Sequence, residues 1–72
     1  MRAESTRDEL LVALDQLSRL RPAWRLGQMM ANLATTAGRI EDGGVWDLED
    51  DEALAAARTL IAEYKDLATD VA

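Results

Sequence analysis

Three polar side chains in the middle of the sequence, Arg25, Gln28 and Asn32, follow the i, i+3, i+7 spacing of one helix face. The arginine fork and the two side-chain amides are directional groups that bind carboxylates or the edge of a peptide backbone. A helix face that is exposed to solvent and binds nothing usually carries lysine and glutamate. Two uses remain open, namely recognition of a partner or a tie to the Trp46-Asp47 segment of the same chain.

The densest cluster of titratable groups runs from Glu41 to Glu52, where seven carboxylates occur without a basic residue. An EF-hand would need glycine at a fixed offset after alternating Asp or Asn, and Gly43-Gly44 stand at the wrong positions. A helix would also send its consecutive carboxylates, Asp50–Glu52, in three directions. We therefore predict no metal site. The other interpretations are favourable charge at a helix N-terminus together with solubility, mimicry of DNA, and docking on a basic partner. One candidate for that basic partner is the cluster of Arg19, Arg21 and Arg25 in another copy of the chain.

Catalytic groups are scarce in this sequence. It contains no cysteine and no histidine, and its one lysine is Lys65. Ser5 and Ser18 therefore lack the imidazole or lysine that would activate a hydroxyl nucleophile. The Gly43-Gly44 pair is not followed by the Gly-Lys-Ser/Thr of a phosphate-binding loop. We predict that the protein is not an enzyme and that it uses no cofactor.

Two of the three aromatic residues are tryptophans, Trp24 and Trp46. Burial in a core is one explanation for them, and a place at an interface is another, because tryptophan is enriched among binding hot spots. Val45-Trp46 follow a predicted turn at Asp42-Gly43-Gly44, and we expect them to fold back over the core as an apolar plug. The predicted partner-binding residues are Trp24, Arg25, Gln28, Asn32, Trp46 and Asp47.

Periodic apolar residues predict three helices that position these side chains. The first helix, residues 6–20, begins at a capping box in which Thr6 and Glu9 bond to each other's backbone. The second, residues 22–37, starts at Pro22, and Gly38 suits its left-handed C-cap. The third helix covers residues 49–70. The apolar stripes comprise Leu10, Leu14 and Leu17 in the first helix and Leu54, Ala57, Ile61 and Tyr64 in the third.

The second predicted helix is apolar over more than half of its circumference, so it must be covered from two sides. Three short helices in a chain of 72 residues cannot supply that cover. We predict an all-α three-helix bundle, formed by residues 1–72 as one domain and completed by dimerisation. The expected function is a small non-enzymatic protein–protein interaction module, acting as a homodimer or as the accessory subunit of a larger cytoplasmic protein.

The charge of the sequence limits the kinds of partner that the protein is expected to bind. The formal net charge is −6, and residues 40–72 carry −8 against +2 for residues 1–39. This balance repels phosphate backbones and anionic membranes, so we predict neither nucleic acid nor a membrane as partner. The charged N-terminal residues do not resemble a signal peptide, and a cytoplasmic protein is expected. The alternative function is an acidic regulatory binder, similar to an antitoxin or an inhibitor, that docks on a basic protein surface.

One pattern resembles a group of small bacterial all-helical proteins. It consists of Trp24-Arg25-Leu26-Gly27-Gln28, then Asn32-Leu33-Ala34, then Val45-Trp46-Asp47-Leu48-Glu49-Asp50, and the resemblance covers residues 22–58. It implies no particular activity. It does imply that a set of polar and aromatic side chains meets in space. That set is Arg25, Gln28, Asn32, Trp46 and Asp47. Met29 and Met30 depart from the pattern, since branched aliphatic residues are expected there.

Overall fold

The computed structural model describes residues 3–39 and 44–71, with the side chains of residues 5–39 and 44–66. It contains three helices, α1 (Ala3–Leu20), α2 (Leu26–Thr36) and α3 (Asp50–Val71), and the described residues form no strand. The predicted all-α three-helix bundle is therefore confirmed, whereas dimerisation stays a prediction. Within the described residues, no helix combines the length and the apolar composition that a membrane span requires.

The first and third helices run parallel to each other. Arg7 near the start of α1 pairs with Asp50 at the start of α3, with Nε and Oδ2 2.8 Å apart. Further along both helices, Glu9 pairs with Arg58 at 2.9 Å. The α1–α3 contact is the most extensive one in the molecule. These two helices thus form the body of the bundle.

The second helix runs antiparallel to the other two and packs mainly on α3. Trp24, just before α2, contacts Tyr64 late in α3, whereas Arg39, just after α2, binds Glu52 at the start of α3. We call the end of the bundle that holds residues 44–52 the acidic end. The opposite end, which holds residues 19–25, is the arginine end.

A single apolar core joins the three helices. Leu17 of α1 and Leu33 of α2 have no exposed surface, and Met29 of α2 is 1% exposed. Small residues on α3, such as Ala57, let its neighbours approach closely. The core cluster comprises Leu10, Ala13, Leu17, Met29, Leu33, Ala53, Leu54, Ala56, Ala57, Leu60 and Ile61. The predicted stripes of the first and third helices face this core.

Within the single chain the second helix is covered on one side only, and cover on its other side by a second copy stays a prediction. Its buried residues, Met29, Leu33 and Ala34, belong to one side, while Gly27 and Ala31 are exposed. The helix is also shorter than predicted, with 11 residues. The middle position in the bundle is taken by α3, which contacts both other helices.

The first helix begins at Ala3, three residues before the predicted N-cap Thr6. Alanine and glutamate before Thr6 favour helix, so nothing in the sequence stops the helix at this residue. The predicted capping box is therefore wrong. Glu9 binds Arg58 across the α1–α3 contact instead of turning back to the backbone of Thr6.

The second helix begins at Leu26, four residues after the predicted start at Pro22. The Trp24 N–H donates to the Arg21 carbonyl at 3.1 Å, which closes a turn with proline at its second position. The Arg21 guanidinium carbon lies 4.7 Å from the ring centre of Tyr64 and 5.4 Å from that of Trp24. These stacking contacts with α3 hold residues 21–24 in the turn, so tertiary packing overrides the local preference of Pro22 for a helix start.

The predicted C-cap at Gly38 is confirmed. Gly38 has φ +89°, the left-handed conformation that glycine adopts without strain. Its N–H donates to Thr35 O at 3.0 Å, and the Arg39 N–H donates to Ala34 O at 2.8 Å. This pair of bonds is a Schellman motif, which satisfies the last carbonyls of α2 and sets the direction in which Arg39 leaves the helix.

Candidate interaction surface

The largest exposed apolar side chain lies in the turn before α3. Trp46 is 92% exposed and Val45 is 45% exposed, so the prediction that they form a plug over the core is wrong. Leu48 takes that place, because it is half-buried and packs against the core. We call residues 44–48 the Trp46 turn. The predicted turn at Asp42-Gly43-Gly44 lies outside the described residues except for Gly44, which is buried.

The Trp46 turn is fixed at both of its ends. At its start, Gly44 lies directly against the backbone of Arg39, and no side chain would fit between them. At its end, the Leu48 N–H donates to Val45 O at 3.3 Å, and Leu48 packs on the core. The exposed Trp46 side chain therefore projects from a segment whose backbone is held in place.

Glu52 links this turn to the end of α2. Its carboxylate accepts two hydrogen bonds from Arg39, at 2.9 and 3.2 Å, and a third from the backbone N–H of Glu49 at 3.0 Å. The last bond caps α3, because Glu49 is the residue before the helix and Glu52 is its third residue. The hydrogen bonds from Arg39, followed by that from Glu49, hold the pKa of Glu52 below its ordinary value.

The carboxylates of the acidic end do not converge. Asp50 pairs with Arg7, Glu52 pairs with Arg39, and the Asp51 carboxylate accepts from the backbone N–H of Glu52. The expectation that Asp50–Glu52 point in three directions is thus met. Asp47 and Glu49 are exposed, and none of the ion pairs among the described residues includes either carboxylate. Trp46 is therefore flanked by two free negative charges.

Trp24 packs against other side chains of its own chain. It is half-buried and packs against the core, and its ring meets that of Tyr64 edge to face, with centroids 5.6 Å apart. An edge-to-face aromatic pair contributes about 0.5–1.5 kcal/mol beyond its buried area. The contact between Trp24 and Tyr64 therefore stabilises the arginine end of the bundle, and it explains why residue 24 is aromatic.

The polar face of α2 is exposed at its beginning. Arg25 and Gln28 are exposed and Asn32 is half-buried. Within the described residues, no side-chain hydrogen bond or ion pair joins these three to the Trp46-Asp47 segment. Arg25 lies at the arginine end and Trp46 at the acidic end. A single chain therefore does not bring together the set that the resemblance implies.

Arg25 occupies the N-cap of α2 although it is poorly suited to that position. Its backbone is extended, with φ −78° and ψ 155°, as an N-cap requires, but its side chain makes no capping hydrogen bond. The first turn of α2 also has no acidic residue, so the positive charge of Arg25 lies at the positive end of the helix dipole. A residue that breaks a local stability rule is more often found at a functional site than elsewhere.

Replacing Arg25 by aspartate should stabilise the fold. The new carboxylate would accept the unpaired N–H groups of the first turn and face the helix dipole favourably, a gain of about 1 kcal/mol. Urea denaturation of the diluted protein, monitored by circular dichroism, measures this difference in the free energy of unfolding. The variant Arg25→Ala removes the charge without adding a cap and should gain less than Arg25→Asp. Equal stabilities of all three proteins would show that the N-cap of α2 is already satisfied.

The sequence did not single out three other exposed apolar residues. Leu26 is 67% exposed and follows Arg25 at the arginine end, while Leu11 and Val12 are exposed on α1. Val12 also lines an open groove of about 350 Å³ between α1 and α3, whose rim carries the Glu9–Arg58 pair. Leu26 continues the i, i+3, i+7 spacing of Met29 and Leu33, and this spacing by itself would predict a buried position.

No family model, no curated protein and no solved structure was found to match this chain.

Proposed function

We propose that the protein is a non-enzymatic protein–protein interaction module that binds through the Trp46 turn, as a homodimer or as the accessory subunit of a larger cytoplasmic protein. The single observation that carries this proposal is the 92% exposure of Trp46 on a segment whose backbone is anchored. A folded chain with only three aromatic residues gains nothing for its own stability from a tryptophan in solvent. A complex in which a partner buries this ring would gain binding free energy from that burial.

The gain from covering Trp46 is large for so small a protein. A tryptophan side chain buries roughly 150–250 Å² on complete burial. At about 25 cal/mol per Å², this area corresponds to a gross contribution of about 4–6 kcal/mol. Because the turn is already fixed by Gly44 and Leu48, little backbone entropy is lost when it binds. Trp46 has the features of a binding hot spot.

Replacing Trp46 by alanine tests this proposal. Because the side chain is almost entirely exposed, we expect the urea midpoint of the diluted protein to stay unchanged while association weakens by at least about a hundredfold. Sedimentation equilibrium from micromolar to millimolar concentration measures the association. Val12→Ala is the matched control, since it removes an exposed apolar side chain from a helix away from the turn. Equal association of wild type and Trp46→Ala would exclude the Trp46 turn as the contact.

The acidic regulatory binder is a second candidate, favoured by the free carboxylates of Asp47 and Glu49 beside Trp46. In this case the partner is a different protein with a basic surface, and the purified chain alone would remain monomeric. Its complex should weaken steeply with added salt, because salt screens the attraction between exposed charges and shortens the Debye length from about 30 Å at 0.01 M to about 10 Å at 0.1 M. A monomer at every concentration would favour this candidate over the homodimer.

A further inference from the structure

The two ends of the bundle carry opposite charge. Residues 19–25 contain three arginines and no carboxylate, and the neighbouring Asp15 pairs with one of them, Arg19. Residues 44–52 contain five carboxylates and no basic residue, and two of these carboxylates pair with Arg7 and Arg39. The antiparallel course of α2 places Arg19, Arg21 and Arg25 at one end and the Trp46 turn at the other. A second copy of the same chain therefore offers each end a surface of complementary charge.

The groups left without partners at the two ends also match in chemistry. At the arginine end, Arg25 is exposed and is a poor N-cap, and the neighbouring Leu26 is 67% exposed. At the acidic end, Trp46 is exposed and the carboxylate of Asp47 is unpaired. An indole ring packs favourably on an aliphatic side chain and on a guanidinium group, and a carboxylate completes the arginine fork.

We infer that the Trp46 turn of one copy docks on Arg25 and Leu26 of a second copy, with Asp47 bound to Arg25. This inference rests on the proposed interaction through Trp46 and names its partner. The pair is arranged about a two-fold axis, so that each copy supplies one acidic end and one arginine end and the contact occurs twice. A two-fold arrangement closes the assembly, whereas a single head-to-tail contact would continue into open chains.

Charge reversal tests this pairing with the purified full chain. Arg25→Asp alone and Asp47→Arg alone each place like charges at both contacts, so each variant should associate about tenfold or more weakly than wild type. A mixture of the two variants restores an attractive pair at both contacts. We expect the mixture to form a heterodimer of twice the 7.9 kDa chain mass, with an affinity close to that of wild type.

Two controls separate this contact from loss of folding and from a general effect of charge. Arg25→Asp improves the N-cap of α2, so its loss of association cannot come from unfolding, and circular dichroism checks this. Glu63→Arg makes the same change of charge as Asp47→Arg at an exposed position of α3 and should leave association unchanged. Sedimentation velocity at low and at high salt measures all of these proteins.

Several results would overturn the inference. Dimers that need Trp46 but tolerate both charge reversals would show that the turn binds another surface of the second copy, which leaves the proposed function intact. Open polymers in the mixture would exclude the two-fold arrangement. A wild-type chain that is monomeric at millimolar concentration would exclude the second copy as the partner.

Discussion

Replacing Leu17 by alanine should leave most of the protein unfolded at 25 °C. Leu17 has no exposed surface and belongs to the core between α1 and α3. Removing a buried leucine side chain costs about 2–5 kcal/mol, because apolar contacts are lost and a cavity remains. A single core in a chain of this length supplies only about 3–5 kcal/mol in total. The expected loss is thus close to the whole free energy of unfolding.

Leu11→Ala provides the control for this prediction. Leu11 lies on the same helix but is 55% exposed, so the same substitution should change the free energy of unfolding by no more than about 0.5 kcal/mol. Urea denaturation of the three proteins at one fixed concentration compares them, because association would make stability depend on concentration. Equal losses at both positions would mean that α1 does not bury the face seen in the structure.

The core positions of α1 and α3 were predictable from local periodicity. Leu10 and Leu17 in α1, and Leu54 and Ile61 in α3, are each seven residues apart, which is about two helical turns, and all four are buried. The C-cap at Gly38 was equally accessible, because a left-handed C-cap strongly favours glycine. Both features depend on residues that are close together in the sequence.

Features that depend on distant residues were not predictable in the same way. The start of α2 is set by the stacking of Arg21 and Trp24 on Tyr64, which is 40 residues further along the chain. Whether Trp46 or Leu48 covers the core depends on the path of a turn anchored against Arg39. Sequence periodicity carries no information about either contact, since each requires the helices to be in place.

The candidate site shows the same division. The sequence singled out Arg25 and Trp46 by residue type, and the structure finds both exposed. The sequence pattern predicted one cluster that contains both residues, whereas the antiparallel course of α2 puts them at opposite ends of the bundle. Leu26 was missed, because its spacing from Met29 and Leu33 is that of a core residue.

Replacing Gly44 by alanine should have the largest effect among substitutions outside the apolar core. Gly44 is buried, and a Cβ atom at this position would collide with the backbone carbonyl of Arg39. A backbone group cannot move aside as the end of a flexible side chain can. Forcing an extra carbon into a packed site costs about 1–3 kcal/mol. The turn would have to shift, so we also expect Gly44→Ala to weaken association through Trp46.

The matched control is Gly27→Ala in the first turn of α2, where a Cβ atom would meet nothing within 4 Å. Alanine favours helix over glycine by up to about 1 kcal/mol, so this variant should be more stable than wild type. One substitution thus has opposite effects at two glycines, and urea denaturation with sedimentation of both variants measures them. If Gly44→Ala kept wild-type stability and association, Trp46 would be displayed by a turn that adjusts freely, and the preorganisation on which its binding strength depends would be absent.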